Sequence, residues 1–99
     1  MALLGFFNAA DVEKLGAELA QLFIDQIPPA MVAKKDKSIS RKKEVLRKIT
    51  YKIDQFKREN KLNVYKKAKL GNAFQWALKD AGYDPAFVSE LTKEILLKV

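Results

Sequence analysis

Ala81-Gly82-Tyr83-Asp84-Pro85 is the stretch on which the fold turns, because helix stop and start signals coincide within it. Gly82 suits the left-handed residue just past a helix end. Asp84 is a natural N-cap, and Pro85 fits the first helical position, where a missing N–H costs nothing. Tyr83 and Val88 stand at the two positions of a hydrophobic staple. One helix must therefore end here and another begin.

Working upstream, Asn63 caps a helix expected over 64–81, with Leu70, Phe74, Ala77, Leu78 and Ala81 along one face. Downstream, a helix over 85–98 has Phe87, Val88, Leu91 and Ile95 as its apolar face. So short a closure makes the two an αα-hairpin.

A longer helix is expected before them, over 40–60. Leu46, Ile49, Ile53 and Phe56 repeat there at 3-4-3 spacing with Val45 beside them. Its start is open, since Asp36, Ser38 and Ser40 can each serve as a cap. A first helix over 9–26 carries Val12, Leu15, Leu19, Leu22 and Phe23 on one stripe, with Asn8 as N-cap and Phe7 and Val12 as its staple. Gly16 lies on that apolar side, where it suits a close helix contact. Pro28-Pro29 stops the helix. Residues 28–38 read as a flexible connection, apolar over Ala30-Met31-Val32-Ala33 and polar over Lys34-Lys35-Asp36-Lys37-Ser38.

Period-2 alternation and the Asn-Gly or Asp-Gly hairpin dipeptides are absent. The expectation is an all-α chain: a small four-helix bundle-like domain spanning 1–99, with a long basic second helix and a C-terminal αα-hairpin.

Composition narrows the chemistry. The 99 residues are 48% hydrophobic and include neither Cys nor His. Disulfides, thiolate zinc sites, thiol nucleophiles and imidazole bases are thereby excluded. The opening Met1–Phe7 segment is apolar, but it is too short for a signal-peptide core or a membrane span. It reads as chain tucked onto the core, with a docking tail as the alternative. A cytoplasmic protein with no membrane partner is expected.

Charge is the informative property. The net +7 is not spread evenly: residues 34–69 hold fifteen Lys or Arg and four acids, a surplus of eleven, while both flanks are mildly acidic. Such a local surplus attracts polyanions and weakens with salt. Lys43, Arg47, Arg58 and Lys61 point away from the Ile49–Ile53 stripe, interrupted by Asp54. Arg41, Lys42 and Lys43 crowd the helix start, the end where the macrodipole disfavours cations. Candidate polyanion-binding residues are therefore Lys34, Lys35, Arg41, Lys42, Lys43, Arg47, Lys48, Arg58 and Lys61. The bland alternative is a solvated, solubilising face.

A second candidate is the strip Tyr65, Lys69, Asn72 and Trp76, at i, i+4, i+7 and i+11, with Lys79 nearby. Exposed, it would stack on bases or meet a partner. The usual burial of tryptophan places Trp76 in the core instead.

The last helix offers only a net-neutral polar face (Ser89, Glu90, Thr92, Lys93, Glu94), a poor reader of a DNA groove. Glu90 with Glu94, and Asp80 with Asp84, are explained as an exposed face and a cap, and no P-loop, nucleophile elbow or EF-hand occurs. No catalytic residue, cofactor or metal is implied. A non-enzymatic binding module is expected, with nucleic acid as the leading partner and an acidic protein or a second copy as the alternative.

Overall fold

The computed structural model describes residues 10–32, 35–59 and 62–98, with side chains of the third helix described from Ser40 onward. Among the described residues five helices follow in order: α1 (Ala10–Gln26), α2 (Pro29–Val32), α3 (Lys35–Glu59), α4 (Val64–Asp80) and α5 (Pro85–Leu96). The described residues contain no strand. None of their helices is long and apolar enough to cross a membrane. Asn8, Phe7 and the Met1–Phe7 segment lie outside the described residues, as do Lys34 and Lys61.

The turn from α4 to α5 forms as its residues dictate. Gly82 has φ 99°, the left-handed value. The Gly82 N–H donates to the Lys79 carbonyl at 3.1 Å and the Tyr83 N–H to the Leu78 carbonyl at 3.3 Å, a Schellman closure. The Asp84 carboxylate then accepts from the Ala86 and Phe87 N–H groups at 3.1 and 3.2 Å. At the start of α4, the Asn63 side chain accepts from the Lys66 N–H at 2.8 Å.

The expected connection over 28–38 is largely helical instead. Pro29–Val32 forms a short helix, and α3 begins at Lys35 rather than near Ser40. No Gly or Pro lies between Ala30 and Leu70, so nothing in the backbone forbids helix there. Asp36, Ser38 and Ser40, read as competing caps, are tolerated inside a helix because they are only mildly poor formers.

A single buried cluster unites the long helices. It takes Val12, Leu19 and Phe23 from α1, Val45, Ile49 and Ile53 from α3, Leu70, Phe74 and Leu78 from α4, and Val88, Leu91 and Ile95 from α5. Helix α1 packs most extensively on α4; α3 lies against α1, and α5 against α4. The α1–α4 approach depends on Gly16. A Cβ at that position would stand 2.8 Å from the Leu70 carbonyl oxygen and 2.9 Å from the Ala73 Cβ. Lys42 of α3 and Glu94 of α5 close the remaining side with an ion pair of 3.1 Å.

The end of α1 is tied to the α4–α5 turn by an aromatic group. Phe23 meets the Tyr83 ring edge-on at 5.8 Å, and Phe87 packs 6.0 Å from both. Since neither Pro28 nor Pro29 has an N–H, the chain cannot continue the α1 hydrogen-bond ladder. The Met31 N–H, which would serve the Ile27 carbonyl in a continuing helix, donates to the Pro28 carbonyl at 2.9 Å. Ile27 is buried, so its carbonyl needs another donor, and the Tyr83 hydroxyl supplies it.

Burial pushes the Tyr83 phenol up from its ordinary value near 10 to about 12. The folded state therefore holds this proton more tightly than the unfolded chain does. The stability linked to it is fully present below pH 10 and is lost as pH rises toward 12. The expected loss across that window is about 2–3 kcal/mol. Tyr83→Phe is expected to flatten this dependence while costing roughly 1–3 kcal/mol near neutral pH, because the Ile27 carbonyl loses its donor. Denaturant midpoints of both proteins through the alkaline range test this. Parallel pH curves would refute it.

Candidate functional site

Helix α3 buries a narrow stripe and leaves the rest of its circumference in solvent. Val45, Ile49 and Ile53 are at most 1% exposed, and Leu46 and Phe56 are partly covered beside them. Arg41, Lys43, Arg47, Lys48 and Arg58 are exposed. Lys42 is not part of that outward face. It lies on the flank toward α5, half-buried and held by Glu94. Lys34 and Lys61, and the side chain of Lys35, fall outside the described residues.

The centre of the outward face holds a residue missing from the sequence-derived set. Tyr51 is 63% exposed, one turn after Arg47. The available signal was angular: Tyr51 is two residues from both Ile49 and Ile53, about 200° around the helix from each. Lys52, also exposed, accompanies it.

Tyr51 and Arg47 form a ridge between two shallow grooves. One groove, of about 470 Å³, runs between α3 and α1 and is lined by Leu22, Arg47, Lys48, Tyr51, Lys52 and Gln55. It contains three cations, a phenol, an amide and an apolar floor, and no acid. The other, of about 550 Å³, includes Lys43 and Lys98 but also Asp54. Among the described residues the α3 cations are scarcely neutralised. Apart from the Lys42 pair, the one ion pair is Lys48 with Glu44 at 3.8 Å on the exposed surface, a kind of contact that adds little. Gln55 donates to the Tyr51 hydroxyl at 3.4 Å.

The α4 strip is exposed on the side opposite Leu70, Phe74 and Leu78. The core position expected for Trp76 is therefore overturned: it is 60% exposed, and Tyr65 is 40% exposed. Among the described residues, α4 packs on α1 and α5 through the side that carries Leu70, Gly71, Phe74 and Leu78. Lys69 Nζ lies 5.6 Å from the Tyr65 ring centroid, and Lys79 Nζ lies 5.6 Å from that of Trp76. Lys69, Asn72 and Trp76 border a small cleft of about 190 Å³ together with Glu13 of α1.

Of the acids noted in the sequence, Asp84 caps α5 and Glu94 holds Lys42. Among the described residues, no group of three or more acidic side chains is placed to hold a metal ion. No protein-family model, curated protein or solved structure matches this chain.

Proposed function

We propose that the chain is a small, bundle-like, non-enzymatic module that binds nucleic acid or a related polyanion through the outward face of α3. The observation that carries this reading is the cluster of exposed, almost unpaired cations at Arg47, Lys48 and Lys52 around an acid-free groove. Unneutralised cations on a rigid helix raise the local concentration of phosphates and release their counterions on contact. Contacts of this kind fix position more than sequence. A cytoplasmic setting is part of this reading, and the absence of cysteine accords with it.

Chemical-shift mapping on a labelled sample tests it. Titration with a short oligonucleotide at low ionic strength should move the amides of Arg47, Lys48, Tyr51 and Lys52 first. A spectrum that does not change would reject the reading.

The α4 strip supports a second reading, in which the module docks on an acidic protein or on a second copy. Its basis is the exposed indole of Trp76 beside Lys79, since tryptophan is enriched where interfaces carry most of their energy. Shifts confined to Tyr65, Asn72 and Trp76 as protein concentration rises would favour self-association.

A further inference from the structure

We infer that the α3 groove selects unpaired nucleic acid over duplex, with one base stacking on Tyr51. This rests on the reading of α3 as a polyanion-binding face and specifies its ligand.

A solvating lysine-rich helix has no use for an exposed aromatic ring at the middle of its basic face. Tyr51 has such a position, with Arg47 one turn before it and Gln55 one turn after. A turn is about 5.4 Å of rise, so a phosphate at Arg47 and a base at Tyr51 fall within the reach of a single nucleotide. The groove provides the other contacts a base and its backbone need. Lys48 and Lys52 meet phosphates, Leu22 from α1 supplies an apolar floor, and the Gln55 amide can donate to or accept from a base edge. The groove across the ridge suits a phosphate chain less, because Asp54 lines it.

Duplex bases present their faces to one another and only their edges to a protein. A convex helix carrying one ring in shallow relief cannot reach those faces. An unpaired base can lie flat on the phenol, and such stacking tolerates any sequence because every base has a π-face.

The test compares three fluorescent probes at low salt: a short polythymidine strand, the same strand annealed to its complement, and an abasic strand of equal phosphate count. Wild-type protein should bind the thymidine strand roughly ten-fold more tightly than the abasic one. Tyr51→Ala should bring that ratio close to one, and Tyr51→Phe should keep it. Because Tyr51 is exposed, folding of these variants is checked simply by their thermal transitions. Equal affinity of wild-type protein for thymidine and abasic strands would overturn base stacking while leaving polyanion binding standing. A ratio that survives Tyr51→Ala but falls with Trp76→Ala would move the stacking to α4 and overturn this assignment. Failure of all three probes to bind would remove the polyanion reading itself.

Discussion

Gly16→Leu is expected to unfold the protein or leave it with a small fraction of its stability. The first atom of any side chain there meets the Leu70 carbonyl oxygen at 2.8 Å, the Ala73 Cβ at 2.9 Å and the Phe74 nitrogen at 3.2 Å. Two of these are backbone atoms within a helix, so no rotamer change relieves the overlap. Helix α4 must move outward, and the α1–α4 contact is the most extensive in the fold. Gly16→Ala gives the cleaner measure. Alanine gains up to about 1 kcal/mol over glycine from helix propensity, whereas forcing a methyl group into a closed contact costs roughly 1–3 kcal/mol. The contact distances favour the upper part of that range, so the net change is a destabilisation of about 1–2 kcal/mol. Leucine adds three further carbons with nowhere to go. Denaturant unfolding of both variants decides the matter. A stabilising Gly16→Ala would mean that the two helices do not approach as described.

Phe23→Ala should remove about 3–5 kcal/mol, a large part of the 5–15 kcal/mol typical of a folded protein. Phe23 has no solvent exposure and contacts both Tyr83 and Phe87. Its loss leaves a cavity at the junction where the end of α1 is fastened to the α4–α5 turn. Tyr83 then loses the ring that holds its hydroxyl against the Ile27 carbonyl. For that reason Phe23→Ala and Tyr83→Phe should not add: the double variant should be less damaged than the sum by at least about 0.5 kcal/mol. Denaturation midpoints with matched slopes measure this. A loss below about 1 kcal/mol for Phe23→Ala would show that the aromatic group is not a core element.

Local signals were readable wherever a residue's own chemistry decides the outcome. Asn63 and Asp84 cap their helices because their short side chains reach backbone N–H groups nearby, and Gly82 turns left-handed because it has no Cβ. The apolar stripes were readable for the same reason, since a period near 3.6 leaves one set of residues to bury. The helical span from Lys35 to Ser40 was not. There the outcome depended on the absence of any breaker rather than on the presence of a cap, and three cap residues suggested a start that the backbone did not need.

The candidate sites divide along the same line. The outward direction of Arg47 and Arg58 follows from the helical period alone. That Lys42 is used up by Glu94 does not, because the pair joins residues 52 positions apart. The exposure of Trp76 depends on how many neighbours α4 has, a tertiary fact that its own sequence does not encode. Tyr51 could have been found, because its angle from the buried stripe is fixed by the residues beside it. Its lack of charge sets it apart from the cations that surround it on that face.

The salt dependence of oligonucleotide binding tests the central claim most directly. Affinity for a single strand, followed by anisotropy from low to moderate salt, should fall linearly on a double-logarithmic plot. Replacing Arg47, Lys48 and Lys52 together with alanine removes three phosphate partners, at about 0.7 in slope for each. The account predicts a slope shallower by roughly 2 and a large loss of affinity at low salt. A triple variant that binds with the same affinity and slope as the parent, or a parent that binds no polyanion at low salt, would contradict it.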